Sequence, residues 1–389
     1  MNEFHALRRL PPYVFTEVNA MKAAARKAGR DVIDLGMGNP DLPTPSFIVD
    51  KLCEVARDPK AHRYSASKGI TGLRNAQARY YQRRFGVSLN ADTQIVATLG
   101  SKEGFANMAT AITAPGDVVL APNPSYPIHA FGFIMAGGVM RALPAQPTED
   151  VFREAEKAVK YSVPKPIAMV LNYPANPTAY VADREFYKEA VAFARKHDIF
   201  ILSDLAYAEI YFDEPPCSIL EIDGAFDVAV EFTSMSKTFS MPGWRIGFAV
   251  GNDRLIAALT RVKSYLDYGA FTPIQVAGIA ALDRSEECGA EVRAVYGKRL
   301  DVLMDSFSRA GWDLPRPDAS MFAWAPIPDG FDGDSLAFSK HLLETGDVAV
   351  SPGVGFGEKG EGYVRIALVE NEQRIRQAAK GITNALNRC

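Results

Sequence analysis

One lysine stands in a stretch of the chain that could make its amine reactive near neutral pH. Lys237 lies in a run of small, hydroxyl and apolar residues from Ser234 to Phe248, and the next acidic side chain is Asp253. A poorly solvated lysine near a second cation such as Arg245 loses part of its preference for the charged form. The free amine can then act as a nucleophile. Because lysines are mostly exposed, this interpretation needs support from residues elsewhere in the chain.

A second candidate is an aspartate at the end of an apolar segment. The run 199–203 predicts a buried strand, Asp204 follows it, and Tyr207 comes three residues later. A carboxylate buried alone is costly, so Asp204 would need a cationic partner. The alternative is an exposed loop aspartate that caps a helix.

A turn that could bind an anion follows the predicted strand 95–99. Gly100, Ser101 and Lys102 form this turn, and an apolar helix is predicted over 105–114. A strand, a Gly-Ser turn and a helix N-terminus together present backbone N–H groups and a positive helix dipole. The turn matches neither the Walker pattern nor the dinucleotide pattern. A monophosphate suits this shorter turn.

Strands and helices alternate through the middle of the chain. Apolar runs predict strands over 117–122, 139–143, 167–171, 199–203 and 227–232, with helices between them. This alternation predicts an α/β fold with a mainly parallel, doubly wound sheet. Such sheets bind ligands at the carboxyl ends of their strands. Asn176 lies just beyond one of these ends, and the run 227–232 leads to Lys237.

The C-terminal part of the chain has a different pattern. A long charged helix over 286–310 leads to strands predicted at 321–325, 348–351 and 363–368. We therefore divide the chain into an N-terminal arm with part of the small domain (1–45), a large domain (46–285) and a small C-terminal domain (286–389). Arg365 faces opposite its apolar neighbours in the last strand. A guanidinium binds a carboxylate bidentately, although a strand arginine is usually solvated or in a salt bridge.

Composition limits the function classes. The chain has 389 residues, of which 48% are hydrophobic, and a net charge of −3. This balance argues against nucleic acid or an anionic membrane as the main partner, and no run of 18 apolar residues predicts a membrane span. The N-terminus has no apolar signal region. Four scattered cysteines favour a reducing cytoplasm, and the five histidines form no metal-binding pattern, so we predict no metal.

Together these residues resemble the class I/II aminotransferases, which are fold-type I pyridoxal-phosphate (PLP) enzymes, over essentially the whole chain. The most specific motif is the segment 234–248, with serines three and one residues before Lys237 and Arg245 eight residues after it. The resemblance implies PLP as cofactor and a large doubly wound domain with a smaller α+β domain. It also implies transfer of an amino group between an L-amino acid and a 2-oxo acid.

The resemblance also implies roles for individual residues. Lys237, the Schiff-base lysine, would be catalytic together with Asp204 and Tyr207. The residues expected to contact PLP are Tyr64, Gly100, Ser101, Lys102, Tyr126, Asn176, Asp204, Tyr207, Ser234, Lys237 and Arg245. Tyr126 is expected to stack on the pyridine ring. Asp204 is expected to pair with the protonated pyridine nitrogen, and Tyr207 and Asn176 to hydrogen-bond the ring oxygen. Gly38, Asn176 and Arg365 are expected to bind the substrate, with Gly38 beside its carboxylate and Arg365 as the anchor of that carboxylate.

A shared active site follows from one of these roles. In the family, the tyrosine in the position of Tyr64 reaches the cofactor phosphate of the neighbouring subunit. The resemblance therefore implies a homodimer with C2 symmetry. The apolar segment 10–15, stiffened by prolines, could pack on the partner or on its own subunit.

Within the family, several segments look like the bacterial glutamate–pyruvate (alanine) aminotransferases, which neighbour the LL-diaminopimelate and aspartate enzymes. These segments are 9–15, 37–41, 100–104, 123–129, 204–208 and 263–273. The best-known aspartate enzymes place an arginine from the partner near the stretch 264–273, which has no Lys or Arg here. Alanine with pyruvate and glutamate with 2-oxoglutarate are therefore favoured over strict aspartate specificity. Lys102 either binds the distal carboxylate of glutamate or is a solvated lysine at a helix start.

Two other classes use the same fold. A PLP β-lyase or synthase acting on an amino acid remains open. A PLP-sensing transcription regulator would carry a DNA-binding segment before this domain, and only about 30 residues precede Ile33 in an acidic chain. This composition disfavours the regulator.

Overall fold

The computed structural model describes residue 4, residues 7–10 and residues 14–387. The strands are β1 (Ile33–Asp34), β2 (Ile95–Thr98), β3 (Val118–Asn123), β4 (Val139–Pro144), β5 (Pro166–Asn172), β6 (Phe200–Asp204), β7 (Ala229–Ser234), β8 (Gly247–Gly251), β9 (Phe322–Pro326), β10 (Val348–Ala349), β11 (Ser351–Pro352) and β12 (Tyr363–Ala367).

The α-helices are α1 (Phe15–Lys27), α2 (Ser46–Ala56), α3 (Thr71–Phe85), α4 (Ser101–Ile112), α5 (Ile128–Met135), α6 (Glu149–Tyr161), α7 (Arg184–His197), α8 (Ala225–Val228), α9 (Met235–Thr238), α10 (Asp253–Leu266), α11 (Thr272–Asp283), α12 (Ser285–Arg309), α13 (Ser335–Gly346) and α14 (Glu372–Leu386). Among the described residues, no helix combines the length and the apolar character needed to cross a membrane.

The large sheet has the order β2-β8-β7-β6-β5-β3-β4. Strands β3 to β7 pair in parallel, and β8 pairs antiparallel with both β7 and β2. Successive residues of β5 alternate between two apolar clusters, with Met169 and Leu171 in one and Ala168 and Val170 in the other. A sheet buried on both faces explains why its strands are continuous apolar runs. The predicted α/β, mainly parallel, doubly wound fold is confirmed.

Three neighbouring parallel strands end at the same edge of this sheet. Asn172 ends β5, Asp204 ends β6 and Ser234 ends β7. Asn172 and Asp204 are paired in register. Because parallel strands share a direction, residues that are far apart in the sequence meet at this edge.

The first turn of α4 starts earlier than predicted. The helix begins at Ser101 rather than 105, directly after Gly100, whose φ of +88° suits glycine. The polar residues Ser101, Lys102 and Glu103 break the apolar period that predicts the helix, so the prediction missed this turn. The Glu103 carboxylate accepts a hydrogen bond from the backbone N–H of Leu99 at 2.8 Å, which ties the first turn of α4 to the residue that follows β2.

The prediction of one strand over 348–351 is wrong about the number of strands. It forms two short strands in different sheets. β10 pairs in parallel with β1, whereas β11 pairs antiparallel with β12, which also pairs with β9. The chain changes partner strands at Val350, whose backbone lies close to Gly36: a Cβ on that glycine would be 3.0 Å from the carbonyl carbon of Val350. Apolar composition alone does not reveal such a change of partner.

The apolar clusters of the chain lie in two regions, and the proposed division into domains stays a prediction. The clusters on the two faces of the large sheet are separate from a third one built around β9, β12, α13 and α14. α12 contributes Cys288 to a large-sheet cluster and Leu300 to the third. β1 pairs with β10, so the N-terminal part of the chain joins the C-terminal part. Residues 11–13 of the predicted arm lie outside the described residues.

Candidate active site

A cavity of about 550 Å³ lies at the carboxyl ends of the parallel strands, a size that suits a small ligand. Most of the residues predicted for the site line it, namely Gly38, Ser101, Lys102, Tyr126, Asn176, Asp204, Tyr207, Ser234, Lys237, Arg245 and Arg365. Gly100 lies directly behind this lining, and Tyr64 lies on the surface.

Lys237 projects into the cavity from α9, one turn after the end of β7. Its Nζ donates a hydrogen bond to the carbonyl oxygen of Gly38 at 2.8 Å. Burial, together with the nearby positive charges of Arg365 and Arg245, lowers the pKa of Lys237 from 10.5 to about 8. The ammonium form is disfavoured because it is poorly solvated and repelled by two guanidinium groups. A usable fraction of free amine is therefore available near neutral pH.

We expect this shift to be measurable as chemical reactivity. In the PLP-free protein, acetylation of Lys237 by acetic anhydride should rise with pH and level off above a midpoint near pH 8. Exposed lysines should still be gaining reactivity in that range, since their pKa is about 10.4. Quantitative mass spectrometry of the peptide that contains Lys237, against the peptide with exposed Lys188 as control, measures both profiles. Coincident profiles would contradict the shift.

Asp204 is held by neighbours on two sides. Nε2 of His129 lies 2.9 Å from Oδ2 of Asp204, and the backbone N–H of Ala206 donates to Oδ1 at 3.2 Å. Asp204 and His129 are both buried. An ionised carboxylate can only accept, so His129 donates from Nε2 to the ionised form. This arrangement fixes the carboxylate at the wall of the cavity.

Amide and phenol groups surround the same wall. Asn172 donates from Nδ2 to the carbonyl of Asp204 at 3.0 Å and accepts from the backbone N–H of Asn176 at 3.0 Å. Burial raises the pKa of Tyr207 above its ordinary value of 10.0. Its hydroxyl therefore stays protonated and can donate a hydrogen bond. Burial also raises the pKa of Tyr126, and the negative charge of Asp204 adds to that effect.

The opposite end of the cavity is cationic and shaped by a glycine. Arg245 donates from Nη2 to the carbonyl of Leu99 at 3.1 Å, and a Cβ on Gly100 would collide with its guanidinium. Ser101 and Lys102, in the first turn of α4, and Ser234 line the same end. A guanidinium, hydroxyls and a helix N-terminus form a donor set that fits a phosphate. Together with a carboxylate suited to a ring nitrogen, the cavity fits PLP.

Arg365 is buried between two rings and several acceptors. Its guanidinium lies 4.1 Å from the ring centroid of Phe322 and 4.7 Å from that of Phe356. Nη1 donates to Oδ1 of Asn176 and Nη2 to the carbonyl of Gly36, both at 2.8 Å. A Cβ on Gly38 would come within 2.8 Å of the Phe322 ring. The arginine is thus positioned at the cavity, and only glycine fits beside it.

Three lining residues of the cavity and one buried partner of Asp204 were missed from the sequence. Val18, Asn19 and Lys22 line the cavity from α1, so this helix lies on its own subunit. No local pattern distinguishes them from other residues of an amphipathic helix. His129 was also missed as a site residue, although it is the one polar residue in the apolar helix α5. A polar side chain in such a helix was a usable signal, because it needs a buried partner.

Tyr64 lies apart from the cavity of its own chain. Its side chain is 86% exposed and packs against Tyr268, with ring centroids 4.7 Å apart. Tyr265, Leu266 and Phe271 are also exposed nearby in sequence. We call these five side chains the aromatic patch. A set of large exposed apolar side chains is typical of an interaction surface.

Comparison with known proteins gives a family and several relatives. The family model described as aminotransferase class I and II matches residues 30–382. AatC of Rhizobium meliloti, which is named as an aminotransferase, is 69% identical over 100% of this chain and 96% of its own length. The glutamate-pyruvate aminotransferase AlaC of Escherichia coli is 49% identical over 97% of this chain and 92% of its own length.

Another relative and a solved structure extend the comparison. The LL-diaminopimelate aminotransferase of Moorella thermoacetica is 41% identical over 100% of this chain and 99% of its own length. The substrate-bound structure of BacF from Bacillus subtilis superposes with a TM-score of 0.93 at 35% identity. It covers 98% of this chain and 97% of the BacF chain.

Proposed function

The chain belongs to the class I and II aminotransferases, which are PLP-dependent, and on this premise we propose that it transfers the amino group between alanine and 2-oxoglutarate, giving pyruvate and glutamate. The observation that carries the proposal is one cavity in which Lys237, Asp204, Arg245 and Arg365 meet. Each supplies a different requirement of the reaction.

We assign the residues as follows. Arg245, Ser234 and the first turn of α4 would hold the phosphate of PLP, and Asp204 would hold its protonated ring nitrogen. Bound PLP supplies an electron sink for negative charge at the α-carbon of the amino acid.

Two side chains would act on the substrate. Arg365 would bind and orient the α-carboxylate of either amino acid. Lys237, as a free amine, would take the proton from the α-carbon of the amino donor, and as an ammonium it would give a proton to the α-carbon of the new amino acid. Asn176 and Tyr207 would place hydrogen-bonding groups beside the ring. Because Phe322 and Phe356 flank Arg365, they would exclude water from the bound carboxylate.

The substrate pair is supported by relatives and by the stretch 264–273. AlaC is a glutamate-pyruvate aminotransferase and is more similar to this chain, at 49% identity, than the LL-diaminopimelate enzyme at 41%. The absence of Lys and Arg from 264–273 disfavours strict aspartate specificity. LL-diaminopimelate remains the second candidate because that relative covers the whole of this chain.

A panel of amino acids and 2-oxo acids tests this proposal. We expect kcat/KM for alanine with 2-oxoglutarate to exceed that for aspartate and for LL-diaminopimelate by about tenfold or more. Highest activity with LL-diaminopimelate would establish the second candidate instead. Release of pyruvate and ammonia without a 2-oxo acid would identify a β-lyase and contradict transamination as the main reaction.

Lys102 is proposed to bind the distal carboxylate of glutamate. Its Nζ lies 5.6 Å from the ring centroid of Tyr126, at the cavity lining. We expect Lys102→Met to raise KM for glutamate about tenfold, the cost of one charged hydrogen bond, and to leave KM for alanine unchanged. Steady-state kinetics with each substrate measure this, with Lys188→Met as a surface control. An unchanged KM for glutamate would leave Lys102 as a solvated lysine.

The homodimer is also part of the proposal. The aromatic patch would pack on a second copy and bring Tyr64 to the phosphate end of the partner's cavity. Sedimentation equilibrium is expected to show a dimer, and Tyr64→Ala to weaken PLP binding by about tenfold. A monomer with full PLP affinity would contradict the shared site. The cytoplasmic location stays a prediction from the cysteine usage.

A further inference from the structure

A fully buried lysine lies between the phosphate end of the cavity and the aromatic patch. Lys263 follows Leu255 and Leu259 at four-residue intervals on the buried face of α10, and it has no exposed surface. A buried ammonium is costly unless it is paired. Lys263 is paired twice, with Oε1 of Glu103 at 3.1 Å and with Oδ2 of Asp267 at 2.8 Å.

The first of these carboxylates belongs to the phosphate end. Glu103 lies in the first turn of α4, and its other oxygen accepts the backbone N–H of Leu99 at 2.8 Å. Asn107 also donates to Glu103. The carbonyl of the same Leu99 accepts from Arg245. The backbone just before Gly100 is thus held on one side by Arg245 and on the other by the carboxylate that Lys263 pairs.

The second carboxylate belongs to the aromatic patch. Asp267 lies between Leu266 and Tyr268, and its Oδ1 accepts the backbone N–H of Gly269 at 2.6 Å. Its carbonyl accepts from the hydroxyl of Ser67. Ser67 is three residues from Tyr64, which packs on Tyr268. The two segments that form the patch are therefore joined at the residue that Lys263 pairs.

We propose that Lys263 is a positioning residue that couples the PLP phosphate site to the subunit interface, an inference that rests on the proposed function and its dimer. One ammonium pairs with two carboxylates that each order a different functional segment. Without it, the partly buried carboxylates of Glu103 and Asp267 repel each other. Glu103 then releases the N–H of Leu99, and Asp267 releases the turn beneath Tyr268.

Three substitutions distinguish the effect of Lys263 on PLP binding from its effect on the subunit interface. Glu103→Gln is expected to raise the Kd for PLP by about ten- to a hundredfold while the dimer dissociation constant stays unchanged. Asp267→Asn is expected to raise the dimer dissociation constant by a similar factor, with a smaller change in PLP affinity measured at protein concentrations where the dimer is fully formed. Lys263→Met is expected to raise both constants.

The measurements are fluorescence titration of the PLP-free protein with PLP, and sedimentation equilibrium of the holoenzyme over a dilution series. Leu303→Ala, at a fully buried position in the other core, controls for general loss of stability. It should lower the unfolding temperature and leave both constants unchanged. Should Lys263→Met fail to fold, the two single carboxylate variants test the same separation.

Two results would overturn the proposal. One is a Lys263→Met variant whose two constants match those of Leu303→Ala. The other is a pair of carboxylate variants that each shift both constants equally, since this is the result of a purely structural cluster. Failure of the proposed function is distinct, because it shows first in the wild-type protein as no PLP binding or no transamination.

Discussion

Lys237→Ala is expected to abolish transamination, lowering kcat by about four orders of magnitude or more. The substitution removes the cavity amine whose pKa is about 8, and with it both the nucleophile and the group that moves the α-proton. Because Arg245 and the first turn of α4 remain, PLP should still bind non-covalently. Steady-state kinetics measure the loss. Borohydride reduction followed by peptide mass spectrometry should fix PLP to the Lys237 peptide of the wild type and to no peptide of the variant.

One further variant distinguishes the role of the free amine from that of the positive charge, and another serves as a control. Lys237→Arg keeps a cation at the position but supplies no free amine near neutral pH, so it should be as inactive as Lys237→Ala. Lys188→Ala, on the surface of α7, should have normal activity. Normal turnover by Lys237→Ala would contradict the proposed function as a whole.

Asp204→Asn is expected to give the second-largest loss, with kcat lower by about a thousandfold. Asparagine has nearly the same shape and can still contact His129, so packing at the cavity wall should be preserved. What is lost is the negative charge that would keep the PLP ring nitrogen protonated, and the electron sink weakens accordingly. Rapid-kinetic measurement of the half-reaction with alanine isolates this effect from substrate binding.

The loss should fall on kcat rather than on KM. The α-carboxylate of the substrate binds to Arg365, which the substitution does not touch, so KM for alanine should change by less than about threefold. Asp227→Asn, at an exposed aspartate, serves as the control and should be neutral. An Asp204→Asn enzyme with wild-type kcat would remove Asp204 from the catalytic group.

The sequence by itself determined the α/β fold and the chemical identity of the candidate site. Continuous apolar runs alternating with helices require a sheet buried on both faces, and the strand ends then place Asn172, Asp204 and Ser234 at one edge. The motif around Lys237 was the most specific sign of the family. These features are local, because each depends on a strand and the few residues that follow it.

The tertiary structure alone decided which distant groups meet. His129 contacts Asp204 across 75 residues, and Lys237 contacts the carbonyl of Gly38 across 199 residues. Lys22 in the cavity wall and Lys263 between two carboxylates read in the sequence as ordinary helix lysines. Periodicity reports whether a side chain faces the interior, but the partner it finds there depends on how separate elements pack. The sequence therefore identified the residues that could react, and packing decided which residues hold them in place.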